Sequence, residues 1–274
     1  MWPFDRAIDV EYLRIGRQAV ERWKTVEGGL ALQGEHALPQ DAGPLLQSLV
    51  EPIRALYPGA SRTPVTLILE SAWLPVTLVD VGPSLLRAAQ LDALVRHRFG
   101  LHHSDSGDPV ASWELRIEHR AASQQALAYG LAPQMKQALM EIERTAGLKW
   151  AALSPAMSWG LQRLRPTKTW SRFTGWWLWP EQDRTLVAHI VGGEVVGFNP
   201  GASPANDEAA LLRLVEVESA RLGIDSSADS IAAATWGAAP RAARSGERLA
   251  WLELQGPHRL PTASGAKTAM RTPA

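Results

Sequence analysis

Several groups of residues have types and spacings that could do chemistry. His97, His102, His103 and Asp105 lie close together in the chain. Imidazole and carboxylate bind metals, but a site needs at least three ligands converging on one point with partners that orient them. This group spans a helix end and a Gly/Ser/Asp loop, and His97 is better placed to meet the helix C-terminus. Ser154-Pro155 and Ser158-Trp159-Gly160 lack the Gly-flanked elbow that exposes a nucleophilic hydroxyl. Glu70, Asp80 and Glu114 form no pair recognisable from spacing, although a pair can be assembled in space. Arg163, Arg165, Lys168 and Arg172 are interleaved with Trp159 and Trp170, a mixture that could grip single-stranded nucleic acid. In a chain of zero net charge the segment reads instead as a solvated connector. His189 reads as a mid-strand residue packed in a sheet, and Gly192-Gly193 as a hairpin turn. There is no Walker-type motif and no G-x-G-x-x-G. No catalytic, cofactor-binding or metal-ligating residue is assigned.

Composition narrows the classes further. The 274 residues allow one large domain or two packed lobes. A content of 46% hydrophobic and 20% charged residues is that of a globular protein. Lys+Arg and Asp+Glu are 28 each, which gives no reason to expect nucleic acid or an acidic membrane surface as the main partner. The absence of cysteine excludes disulfides, zinc–thiolate sites and Cys nucleophiles. The opening MWPFDRAIDVEYLR carries acids and no apolar run, so it does not read as a signal peptide, and no segment approaches a membrane span. A cytoplasmic location is expected. The 12 Trp are expected to fill the core and the space between lobes.

The elements that must carry these residues follow from periodicity. Ala7–Ile15 and Ala19–Thr25 read as paired strands around a turn at Gly16-Arg17, with Leu30–Gln33 a third short strand. Gly43–Tyr57 reads as a helix, with Pro52 expected to kink or restart it. Thr66–Glu70 and Val76–Asp80 read as strands. Ser84 is the expected cap of a helix that stops at Gly100. Trp113–Glu118 and Gln125–Leu131 read as an antiparallel pair. A helix opening at Pro133 ends at Gly147, the strand Leu148–Leu153 follows, and Met157–Leu164 is a short helix. The aromatic stretch Phe173–Asn199 predicts a second meander, with strands Trp176–Trp179, Leu186–Ile190 and Glu194–Phe198. Ser203 and Pro204 are expected to open a helix ending at Gly223, followed by strands Ser230–Trp236 and Leu249–Leu254. Pro257–Ala274 reads as a mobile tail whose Arg259, Lys267 and Arg271 are too dilute to anchor a membrane.

Both halves therefore run meander, helix, strand. Leu45-Leu46-Gln47-Ser48-Leu49-Val50 can be laid beside Leu211-Leu212-Arg213-Leu214-Val215-Glu216. A meander with one helix cannot bury its own face, so two such units would pack together.

This order over residues 5–254, with the block SAWLPVTLVDVGPSLLRAAQLDALVRHRFG at Ser71–Gly100, resembles the actin-like ATPase fold. It most resembles the PilM and GspL-type pseudo-actin scaffolds of type IV pilus and type II secretion systems. The resemblance implies an α/β fold of two duplicated actin-like (ribonuclease H-like) lobes with mixed sheets and an inserted α+β subdomain. The expected units are 5–82 for the first lobe, 83–165 for the inserted subdomain and the return to the first lobe, 166–256 for the second lobe, and 257–274 for the tail.

Actin-like ATPases hold phosphates with Gly-containing hairpin turns that follow an Asp. At the first candidate, Asp9-Val10-Glu11, a Glu stands where the Gly should be. The second hairpin begins Trp176-Trp177-Leu178-Trp179-Pro180, without the Asp or the Gly. The expectation is a scaffold that uses no nucleotide or other cofactor. It would bind membrane-platform proteins, one of them through a short N-terminal peptide, and sit peripherally at the inner membrane. Block 83–150, with its half-exposed strand Trp113–Glu118, is the expected region of contact. The alternative is a divergent actin-like ATPase or sugar kinase.

Overall fold

The computed structural model describes residues 11–26, 29–39, 45–59, 64–82, 87–103, 109–119, 123–164, 172–202, 204–205, 207–225, 229–235 and 249–253. The chain opens with β1 (Glu11–Ile15), β2 (Ala19–Val26) and β3 (Gly29–Ala37), then α1 (Leu45–Leu56), β4 (Val65–Leu69) and β5 (Val76–Asp80). It continues with α2 (Ala88–His102), β6 (Glu114–His119), β7 (Gln125–Leu131), α3 (Pro133–Ala146), β8 (Trp150–Pro155) and α4 (Ala156–Leu164). The second meander is β9 (Gly175–Pro180), β10 (Thr185–Val191) and β11 (Glu194–Ala202), followed by α5 (Glu208–Leu222), β12 (Ser230–Thr235) and β13 (Leu249–Glu253).

Two five-stranded sheets repeat one plan. Their orders are β3-β2-β1-β4-β8 and β11-β10-β9-β12-β13. In each, an antiparallel meander continues through its first strand into two parallel strands. The duplication expected from element order is thus present in sheet topology, strand for strand. A third, antiparallel sheet, β5-β7-β6, carries α2 against one face through Val95 and Phe99.

Burial on both faces explains the composition of β9. Trp176 and Leu178 pack with Val187, Ile231 and the α5 residues Leu211 and Val215. The alternate residues Trp177 and Trp179 join the larger core with Trp159 and Leu161 of α4 and with the first sheet. A strand covered twice reads as a continuous apolar run. Trp23, Trp113, Trp159, Trp176, Trp177 and Trp179 are all buried, so these indoles fill cores and the space between sheets.

Local expectations fail where packing outweighs a local signal. Pro52 does not restart α1, which runs unbroken from Leu45 to Leu56, with Leu49 and Ile53 fully buried and the helix packed along α3. Gly100 does not stop α2: it lacks the left-handed backbone seen at Gly147 and Gly223, and the helix runs on to His102. That helix begins at Ala88 with Arg87 as its cap, while Ser84 lies outside the described residues. The cap of α5 is Asp207, whose carboxylate accepts from the Ala210 N–H at 2.8 Å, so the helix starts later than Ser203 and Pro204 suggest. β3 is longer than Leu30–Gln33 because it pairs with the whole of β2. The start of the first strand before Glu11 and the tail 257–274 lie outside the described residues. Among the described residues no helix is long and apolar enough to cross a membrane.

Candidate functional site

The two duplicated meanders bring their first hairpin turns together. The β1–β2 turn is Gly16-Arg17-Gln18, and the β9–β10 turn runs from Glu181 to Arg184, closed by the Glu181 N–H to the Arg184 carbonyl at 2.8 Å. These turns occupy the positions where the resemblance places phosphate. The assignment of the first one to Asp9-Val10-Glu11 is therefore corrected. Glu11 begins β1 and pairs with Arg22 at 2.9 Å, well before the turn. Hydrophobic alternation located the strand, but not which of its ends meets the other lobe. The actual turn keeps a glycine, and two residues before it stands Arg14 rather than an Asp.

Gln182 bridges the turns. Its side-chain oxygen accepts from the Gln18 N–H at 2.6 Å and the Ala19 N–H at 2.9 Å. Its side-chain nitrogen donates to the Ala19 carbonyl at 3.4 Å and to Glu21 at 3.3 Å. A β-carbon on Gly16 would lie 2.2 Å from the Gln182 oxygen, so glycine there makes room for the bridge. Two backbone N–H groups of the first turn and the strand it opens are thus occupied by a side chain of the opposite lobe.

Beneath this bridge lies a buried charge cluster. Arg14 on β1 faces its cross-strand partner Glu21 on β2, with N···O distances of 3.1 and 3.2 Å, and its other nitrogen bonds Glu70 at the end of β4. Trp23 donates to Glu21 at 2.8 Å. From the second lobe, Glu181 accepts from the Ser71 N–H at 2.9 and 3.1 Å and from the Ser71 hydroxyl. Burial, and then the Glu70 carboxylate, push the Glu181 carboxyl up to about 8. Burial also raises Glu70, opposed by the Arg14 guanidinium. Carboxylate oxygens of Glu70, Glu181 and Asp183 approach within 4.8 Å of one another. Two of the three are already paired, Glu70 with Arg14 and Asp183 through a two-point contact with Arg184 at 2.9 and 3.1 Å. The cluster is assigned no metal.

The other residues singled out from sequence do not converge. His103 faces Thr77 at 2.9 Å and stacks on Trp113; burial lowers its basicity, and His97 and His102 are exposed on α2. Asp105 lies outside the described residues. His189 packs on Trp176 in the second sheet, near Asp229, and burial lowers it too. Asp80 bonds the Gly82 N–H at 2.8 Å and Glu114 pairs with Lys136, so neither joins Glu70. Ser158 donates to Glu118 and accepts from the Gln162 side chain at 3.2 Å, with no histidine in that chain of contacts. Trp159 is buried in the core and offers no face to a base, while Arg165, Lys168 and Trp170 lie outside the described residues. Gly192 and Gly193 form the β10–β11 turn. β6 is half-exposed, as expected for this stretch, and lies at the edge of the third sheet; it begins one residue after Trp113, which is buried.

No protein-family model matches the sequence, and no curated protein matches it. Solved structures do. A Bacteroides thetaiotaomicron protein described as having an actin-like ATPase fold and unknown function aligns at a TM-score of 0.52 and 10% identity, over 84% of this chain and 82% of that one. The cytoplasmic domain of EpsL, an inner-membrane component of the type II secretion system of Vibrio cholerae, aligns at 0.50 and 13%, over 93% and 90%. The PilM–PilN type IV pilus biogenesis complex aligns at 0.51 and 15%, over 80% and 67%. With its duplicated sheets and facing hairpin turns, this chain has the actin-like ATPase fold.

Proposed function

We propose that this chain is a non-enzymatic scaffold of the inner-membrane platform of a type IV pilus or type II secretion system. It would work without nucleotide, on the cytoplasmic side of the membrane. The observation that carries the reading is the Gln182 bridge: two N–H groups of the first turn are spent on the second lobe, above a buried cluster rich in carboxylates. Phosphate would have to displace a neutral amide from acidic surroundings. The fold likeness to EpsL and PilM supports a role beside membrane-platform proteins.

The reading places the partner at a groove between the inserted sheet and the first lobe. This groove has a volume of about 690 Å³ and is lined by Ser112, Glu114, Leu131, Lys136, Met140 and Arg144. It continues past Leu139 and Trp150 to β8, an outer strand of the first sheet. Met140 is 61% exposed there. Two sheet edges, β6 and β8, flank it, and a short extended segment of a membrane protein could pair with such an edge. Co-purification with defined platform proteins tests this. Specific binding that is lost in Met140→Glu, with unchanged thermal stability, is expected; no specific binding to any of them overturns the scaffold reading. Calorimetric titration with Mg-ATP tests the other half, and tight binding overturns it.

A further inference from the structure

We propose that the outer flank of α2 is a contact surface for an anionic lipid bilayer, where Arg87 and Arg98 meet lipid phosphates and Leu101 enters the headgroup layer.

The inner face of α2 is fixed by Val95 and Phe99, both fully buried against the third sheet. Arg87, Leu91, Leu94, Arg98 and Leu101 follow one another at steps of four, three, four and three, so they share one flank of the helix. Leu91 and Leu94 lean on the sheet core, half-buried. Arg87, Arg98 and Leu101 stand out in solvent, Leu101 with 63% of its surface exposed, and His97 is exposed beside them. At the rise of an α-helix the stripe is about 21 Å long.

Zero net charge over the whole chain conceals a local excess here. Between Arg87 and His103 there are three arginines and one acid, Asp92. Asp92 lies on the other flank, where Arg96 reaches it at 3.4 Å and also donates to the Trp113 carbonyl at 3.0 Å. That contact spends the acid and one arginine on seating the helix. Arg87 and Arg98 have no ion-pair partner among the described residues. Arg87 caps the N-terminus of α2, where the helix pole is already positive and an acid would be favoured. Positive charge placed against a local rule, without an internal partner, points to an external one.

The surface is a ridge rather than a groove. α2 packs on its own sheet, and none of its residues lines the groove assigned above to the partner. A peptide needs walls or a sheet edge to be held. A lipid surface yields to a convex face, and offers phosphates to arginine and an apolar layer to leucine. Arginine suits that boundary, because its stem can lie in apolar surroundings while its head pairs with phosphate. Two arginines and one leucine give weak adsorption, enough to orient a protein that other contacts hold at the membrane. The proposal stands on α2 and does not rest on the scaffold reading.

The chain has no cysteine, so an environment-sensitive fluorophore on His97→Cys reports from this flank alone, and one on the exposed Val217→Cys of α5 serves as control. Phosphatidylcholine vesicles carrying about one-third phosphatidylglycerol, at millimolar lipid, are expected to blue-shift the probe at 97 and leave that at 217 unchanged. Phosphatidylcholine alone is expected to move neither, and salt at about 0.5 M to reverse the shift. Arg87→Gln and Arg98→Gln are each expected to weaken adsorption about fivefold, and Leu101→Ser to weaken it further, with thermal midpoints unchanged. Met140→Glu is expected to keep lipid adsorption, so loss of the partner and loss of the lipid are separate results. No shift with anionic vesicles overturns the proposal, and so does an equal shift at both probes or an equal shift with phosphatidylcholine alone. Soluble polyglutamate that shifts the probe at 97 as strongly as the vesicles also overturns it, because the flank would then recognise acidic protein. The vesicle comparison leaves both arginines and Leu101 in place, so it decides the matter even if their variants do not fold.

Discussion

The side-chain oxygen of Gln182 lies 2.6 Å from the backbone nitrogen of Gln18, across the boundary between the two lobes. Contacts of this kind within one lobe are ordinary turn chemistry. Between lobes, this one converts a cleft into a joint, because the donors it satisfies belong to one sheet and the acceptor to the other. The joint exists only because residue 16 has no side chain.

Gly16→Ala should evict Gln182 and spare the fold. The added carbon would meet only the far end of a flexible side chain, which can swing away. The loss is that of the Gln182 hydrogen bonds, about 1–2 kcal/mol in chemical denaturation. On a Gln182→Ala background the same change should cost close to nothing, since the bridge is already gone. Equal costs on both backgrounds would show that Gly16 is needed for the turn itself.

Stability should fall as pH rises between about 4.5 and about 8. In the unfolded chain Glu181 loses its proton near the ordinary value of 4.5, while in the folded chain it keeps it to about 8. Between those values the folded state binds the extra proton, so each step up in pH favours unfolding, by at most about 1.4 kcal/mol per unit from this group. Below that window and above it the group adds no slope. Glu181→Gln should flatten this part of the profile in urea titrations at a series of pH values. An unaltered profile would place the slope in other groups.

Gly160→Ala should be strongly destabilising. A β-carbon there would lie 2.2 Å from the ring of Trp179, which is fully buried between α4 and the second sheet. An indole held on both sides cannot swing out as Gln182 can. Overpacking of this kind costs about 1–3 kcal/mol, and the thermal midpoint should drop well below that of an exposed control such as Gln137→Ala on α3. A midpoint equal to the control would show that the two elements can separate freely.

These contrasts also explain how much was readable in the sequence. The two meanders, the helix at Pro133, the strand Gln125–Leu131 and the duplication all rest on local periodicity and turn residues, and the folded chain has them. The joint was not readable, because it pairs Arg14 with Glu70 and Ser71 with Glu181, residues far apart in the chain. No spacing rule links them. Two weak signals pointed that way: a turn at Gly16, and a charged Arg14 set between Leu13 and Ile15 at the apolar end of its strand. A buried charge demands a partner, and asking where Arg14 finds one would have led to the acids of the cleft rather than to Asp9 and Glu11.

Arg14→Met should be the most damaging change in the cleft, and its pH dependence should identify the cause. The guanidinium is buried and supplies the positive charge between Glu21 and Glu70. Removing it leaves two buried carboxylates without the cation between them, a loss of about 3–5 kcal/mol for breaking a buried ion pair from one side. The carboxylates can recover part of that by taking up protons, so the variant should gain more stability on acidification than the parent does. Adding Glu70→Gln removes one of the stranded charges and keeps an acceptor for the Gln182 N–H. The double variant should therefore be more stable than Arg14→Met alone, as read from urea midpoints at about pH 5 and about pH 8. Two simple packing losses would instead add, and the double variant would be the weaker of the two.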